Sequence, residues 1–255
     1  MSAKASLSFG ELIRGTRNVA ARELGAYFDS PIAYVYVIAF AVLANAIFMN
    51  DFFLAGRVEM RGYFDRMPLL FAVFLPAVTM RLWAEERKQR TIELLLTLPI
   101  LPLQAILGKY LASIGLLTLF LLTSLPIVIM LATLGTPDYG LIVSGYMGVM
   151  GLGAVFLALG MFLSSLSGDQ IIAFVTTTVL SFVLVLTGDD RVVAVVDGLA
   201  PALAAGTFLR ESISVMPHFE AFVAGTVELS ALVYFAGMSA VFLWLNSIVL
   251  ERNRG

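Results

Sequence analysis

From Leu141 to Leu166 the chain carries no Asp, Glu, Lys, Arg or His. As a helix rising about 1.5 Å per residue, this run is longer than the roughly 30 Å hydrocarbon core of a bilayer. A helix that is apolar on every side must be buried all round or lie in lipid. Comparable runs recur at Pro31–Asn50, at Met67–Met80, from about Gln104 or Tyr110 to Leu134, at Ile171–Leu186 and at Ala231–Leu250. Met67–Met80 is short, but Arg81 can snorkel and Trp83 suits an interface, so that helix is expected to continue past Met80, with a kink near Pro76. Only 13% of the residues are charged, about half the share of a soluble domain. The pattern predicts an all-α polytopic membrane protein, one domain over residues 1–255, with six transmembrane helices.

The connecting segments carry their own signals. Residues 6–28 mix Arg14, Arg17, Arg22 and Glu23 with Ile13, Ala20, Leu24, Tyr27 and Phe28, which fall roughly on one helical face. Two readings fit, a helix lying in the membrane interface or a solvated amphipathic helix. Ser30-Pro31 reads as a helix start. Gly145, Gly148, Gly151, Gly153 and Gly160 suit close helix packing in the fourth span. Residues 187–230 are mixed; Val192–Phe208 is too apolar for a solvated loop and predicts two short helices dipping into the outer membrane face.

With six spans, eleven of the 16 Lys and Arg residues fall on the side of the termini. Only Arg57, Arg61, Arg66, Arg191 and Arg210 fall on the other. By the positive-inside rule, both termini and the segment 81–98 are cytoplasmic.

Several chemistries lack their residues. Apart from Lys109 at the entry of the third span, the spans hold no Asp, Glu, Lys, Arg or His, whereas ion-coupled carriers usually place such groups at mid-membrane. There is no GxxxxGK[ST] phosphate loop and no cysteine. Glu85, Glu86 and Arg90 match the EExxxR string of a family of membrane-embedded proteases, but those enzymes also need histidines. The one histidine, His218, falls on the opposite face. No catalytic or metal site and no nucleic-acid partner is expected; the lipid bilayer is.

The segment Arg81–Leu98 is the one dense block of charge in this apolar chain. Glu86 and Arg90 stand one helical turn apart. Thr91 can cap a second short helix with Glu93 in its first turn, and Pro99 ends it. Such a knob could seat in a groove on a soluble partner, or the block could be an ordinary positive-inside loop.

The string from Ala84 to Pro99, AEERKQRTIELLLTLP, resembles the signature of ABC-2 type transporter permease subunits, and more narrowly of the gliding-motility-type branch. That branch is also similar at Glu23-Leu24, at Tyr27-Phe28, over Ser30–Val35 and, more loosely, over Pro217–Phe219. The resemblance covers nearly the whole chain. It implies an exporter subunit in the bacterial cytoplasmic (inner) membrane, paired with a second permease copy, identical or related, and seated on separate ABC ATPase subunits that bind ATP and Mg. It implies an N-terminal interfacial helix, a coupling helix between spans 2 and 3, and a re-entrant outer hairpin before span 6. Carried over residue by residue, it makes Glu85, Glu86, Arg87, Arg90, Thr91, Glu93, Leu94 and Leu95 ATPase contacts. A non-transporting module, in which an ATPase controls an envelope enzyme or motility apparatus, is the alternative. The topology predicts that green fluorescent protein fused after Gly255 fluoresces in cells, while alkaline phosphatase at that position is inactive; the reverse pattern contradicts it.

Overall fold

An uncharged backbone in lipid must satisfy its own hydrogen bonds, and helices do so within one segment. The structure, a computed structural model, describes residues 9–56, 58–89, 101–199 and 204–252. Those residues form α1 (Phe9–Asp29), α2 (Pro31–Ala55), α3 (Arg61–Thr79), α4 (Arg81–Lys88), α5 (Pro102–Leu122) and α6 (Leu125–Leu134), then α7 (Tyr139–Leu166), α8 (Gln170–Leu186), α9 (Asp190–Leu199), α10 (Ala205–Ser212), α11 (Met216–Val223) and α12 (Leu229–Arg252). Five stretches are long and apolar enough to cross a membrane: Pro31–Leu54, Arg61–Lys88, Pro102–Leu134, Tyr139–Leu166 and Leu229–Arg252. A sixth is reached only by joining α8 to α9 across an 86° bend. The chain is thus an all-helical protein with five or six candidate membrane-spanning segments.

Local chemistry sets the helix ends. Pro31 occupies the first turn of α2 after an extended Ser30, whose side chain makes no cap bond. Gly56 closes α2 in the left-handed region, φ 63°, and donates its N–H to the Phe52 carbonyl. Glycine adopts that conformation without a Cβ penalty. Asp138 Oδ1 accepts from the Leu141 N–H at 3.1 Å to cap α7, and Asp169 Oδ1 accepts from the Ile171 N–H at 2.7 Å to cap α8.

The glycine-bearing α7 is the axis of the bundle. A Cβ added at Gly148 would come within 2.5 Å of Phe222 of α11, at Gly151 within 2.6 Å of Phe235 of α12, and at Gly153 within 2.5 Å of Leu117 of α5. Phe64 closes off Gly145 and Thr79 closes off Gly160 in the same way. The glycines therefore admit side chains from α3, α5, α11 and α12, as their spacing suggested. On the other side of α3, Phe40 of α2 stacks on Phe120 of α5 at 4.8 Å and meets Phe74 of α3 edge-on at 5.5 Å.

The second span runs on into the charged block, as expected, with Pro76 inside α3 and a break at Met80 between α3 and α4. Beyond Pro76, the Thr79 hydroxyl bonds back to the Leu75 and Pro76 carbonyls at 3.1 and 3.3 Å. Such back-bonding bends helices. Where a pair of short helices was expected before the last span, the described residues form three, α9, α10 and α11. Asp197 of α9 accepts from the Gly206 and Thr207 N–H groups and from the Thr207 hydroxyl, and Arg210 pairs with Asp190. Replacing Gly148 with leucine should overpack α7 against α11 and lower stability by about 2 kcal/mol, read as a lower melting temperature in detergent. Gly168→Leu, in a turn with open space around it, should leave the melting temperature unchanged.

Candidate functional site: a buried charge junction

Lys109 lies two turns inside α5 and is 2% exposed. It was expected at the start of the third span, because that span was drawn from its apolar run; the helix in fact begins at Pro102, seven residues earlier. An ammonium so far from water needs countercharge, and two glutamates supply it. The Nζ lies 2.8 Å from Glu86 Oε1 of α4 and 3.3 Å from Glu23 Oε1 of α1. It also sits 5.1 Å over the ring of Trp83, itself fully buried. Arg22 completes the cluster from the exposed side, 2.8 Å from Glu23.

Three elements meet here, and each is held by more than charge. α1 runs in the same direction as α5, side by side. The Gln104 side-chain amide donates to the Glu11 carbonyl at 3.1 Å, and the Tyr27 hydroxyl lies 3.4 Å from Ser113 Oγ. A Cβ on Gly108 would reach within 2.6 Å of Val19, so the two helices touch backbone to side chain. This register buries Thr16, Val19 and Tyr27 and leaves Ile13 and Phe28 exposed. The apolar face read from the sequence therefore divides: its inner half packs on α5, and its outer half does not.

The α4 helix is fastened to the axis. Its first N–H groups lose their intrahelical acceptors at the Met80 break. The Ser164 hydroxyl of α7 accepts from the Trp83 and Ala84 N–H groups at 3.1 and 3.2 Å and donates to the Met80 carbonyl at 2.9 Å. One side chain thus caps α4 from a neighbouring helix. On the outside of the junction the Arg81 guanidinium lies 4.9 Å over the Tyr27 ring.

The residues singled out from sequence sort into three groups. Glu23 and Glu86 point inward to Lys109. Glu85, half-exposed, accepts from the Gln89 amide at 3.3 Å; Arg87 is half-exposed, and Arg14, Arg17 and Arg22 are exposed. Arg90, Thr91, Glu93, Leu94 and Leu95 lie outside the described residues. Glu86, which the resemblance makes an ATPase contact, turns one carboxylate oxygen to the buried Lys109. Lys109 and Trp83 were read only as a span entry and an interface residue, not as members of a site, and Ser164 was not singled out. The available signal was Lys109 itself, a lone cation within an apolar run, which implies partners.

Burial raises the Glu23 carboxyl, but Lys109 and Arg22 outweigh that effect and hold its pKa below the ordinary value. A group depressed in this way adds stability above its unfolded pKa and loses it as pH falls through the folded one. The α1 attachment is thus sound at neutral pH and weakens below the usual carboxylate range. At the far end of the bundle His218 stacks on Tyr234 at 4.0 Å, and burial lowers its pKa against the opposing pull of Glu228. Among the described residues no three metal-ligating side chains gather.

No protein-family model matches the chain, and no curated protein is significantly similar to it.

The junction predicts a specific energetic pattern. Lys109→Met removes the buried cation that both carboxylates face and should cost about 3 kcal/mol, measured by thermal unfolding in detergent. Adding Glu23→Gln and Glu86→Gln should recover most of that loss. A triple variant as unstable as Lys109→Met alone would contradict the assignment.

Proposed function

We propose that this chain is the membrane-spanning permease subunit of an ABC-2 type exporter, moving its cargo across the bacterial cytoplasmic membrane with ATP hydrolysed by a separate ATPase. The observation that carries the reading is the Lys109 junction. It joins the charged block, the resemblance's ATPase-facing segment, to the N-terminal helix and to a span of the bundle. On this reading six helices cross the membrane, both termini are cytoplasmic, α1 lies at the cytoplasmic interface, and α9 and α10 form the outer re-entrant hairpin. A second permease copy completes the pathway. The chain itself binds no ATP or Mg and is not an enzyme.

The physical role of the junction follows from its stiffness. A push on α4 by a nucleotide-driven partner cannot be absorbed locally, because Ser164 ties α4 to α7 and Glu86 ties it to Lys109 of α5. Glu23 ties the same lysine to α1, so α1, α4 and α5 move as one body. Breaking the pairs would require leaving charges buried and uncompensated. Displacement at the cytoplasmic surface is therefore passed to the spans rather than lost in side-chain rearrangement.

A second reading has one observation in its favour. No residue of α9 is buried, and Val195, Leu199 and Phe208 are exposed on the hairpin. That surface suits an envelope protein that an ATPase would work through the membrane, without cargo. A cargo-dependent rise in ATP hydrolysis in liposomes supports the exporter; hydrolysis that responds only to an added envelope protein supports the second.

The exporter reading is tested by purifying the full chain from its native membrane. An ATPase subunit should accompany it. Glu85→Lys combined with Arg87→Glu, both at half-exposed positions, should weaken that association about tenfold, roughly 1.4 kcal/mol. Lys109→Met should keep the ATPase bound while lowering its response to cargo. Purification with no ATPase would overturn the proposal.

A further inference from the structure

We infer that the outer edge of α1 binds the headgroup of an anionic phospholipid through Arg14 and Arg17. Ile13, Arg17, Leu24 and Phe28 follow one another at intervals of four, seven and four residues. At about 3.6 residues per turn, that spacing puts all four on one stripe of the helix. Ile13 is 52% exposed and Phe28 47%, so α5 leaves both ends of the stripe uncovered. Leu24, between them, is half-buried beside Gly115 of α5.

At its far end the stripe runs into α2. The Phe28 ring meets the Tyr34 ring edge-on at 6.4 Å. Ile32, Val35, Ile38 and Val42 then carry the exposed apolar surface onward. That surface belongs to the candidate span Pro31–Leu54, whose most apolar window is only 22% buried. The uncovered edge of α1 is thus continuous with the lipid-facing side of a spanning helix.

Arg17 interrupts this stripe, and Arg14 stands one turn before it, both exposed. Among the described residues neither forms an ion pair, whereas Arg22 pairs with Glu23. The residues three and four positions on either side of Arg17 are Ile13, Arg14, Ala20 and Ala21, none of them acidic. Like charges one turn apart repel unless an anion joins them. An arginine on an apolar stripe lays its stem along hydrocarbon and lifts its guanidinium into the phosphate layer. Its planar fork of donors suits phosphate oxygens.

The stripe and the charges together discriminate between anions. A soluble phosphate would use the arginines but leave Ile13 and Phe28 in water. A zwitterionic phospholipid covers the apolar residues but brings its own ammonium beside two unpaired cations. An anionic phospholipid covers the stripe and supplies the missing negative charge. This inference rests on α1 standing at a membrane surface, which is one part of the exporter reading, and needs no ATPase.

The full chain is placed alone in nanodiscs, so the outcome is independent of the ATPase purification that tests the exporter. The chain contains no cysteine, and a bimane on Ala21→Cys, an exposed position one turn from Arg17, reports on nearby lipid. Phosphatidylglycerol spin-labelled high on its acyl chain should quench it about fivefold more than phosphatidylcholine labelled at the same carbon. Arg14→Gln with Arg17→Gln should bring the two lipids to parity, while Arg14→Lys with Arg17→Lys should keep most of the difference. Arg61→Gln with Arg191→Gln, which removes two exposed cations at the starts of α3 and α9, should change nothing. Equal quenching by both lipids before mutation, or a preference that survives Arg14→Gln with Arg17→Gln, would overturn the proposal. Absence of quenching by either lipid would overturn it too, giving the uncovered edge of α1 to a soluble protein.

Discussion

A lysine ammonium held out of water is the condition around which the end of this protein that carries α1 and α4 is built. Left alone, such an ion would cost several kcal/mol. Lys109 meets that cost by drawing Glu23 and Glu86 to within 3.3 and 2.8 Å. Those carboxylates belong to different helices, so satisfying one charge fixes two elements against a third. The remaining contacts, Gln104 on the α1 backbone and Ser164 on the first turn of α4, keep the same geometry without charge.

The membrane-facing half obeys a different constraint. Helices in lipid gain nothing from hiding apolar surface, so their association depends on fit. The glycines of α7 provide that fit by leaving space that Phe64, Leu117, Phe222 and Phe235 fill. α7 touches α3, α5, α8, α11 and α12 and is the shared wall of the bundle. The charge junction reaches this wall through Ser164, near the C-terminal end of the same helix. Charge and fit thus meet on one element.

Much of the fold was legible in the sequence, because a bilayer imposes length and polarity on each segment. The apolar runs marked the candidate spanning helices, and the glycine spacing indicated their close packing. Boundaries were less legible. The helix break follows Thr79, whose hydroxyl competes for the helix carbonyls. The junction was half visible: Glu23, Glu85 and Glu86 stood out as charges, yet charge at a surface and charge turned inward look alike in one dimension. Only the partner decides, and Lys109 is far away in sequence from both glutamates it binds. The segment from Arg90 to Leu98, read as the second half of the charged block, lies outside the described residues.

The side-by-side packing of α1 on α5 also bears on how the protein is made. Tyr27 and Ser113, which lie 3.4 Å apart, are separated by 86 positions. Chains are synthesised from the N-terminus, so α1 must wait at the membrane until two intervening spans and the charged block have been laid down. Both carboxylates then exist before Lys109 leaves the ribosome. The cation therefore enters lipid with its counterions already nearby, and the order of residues along the chain spares the insertion machinery from handling a bare charge.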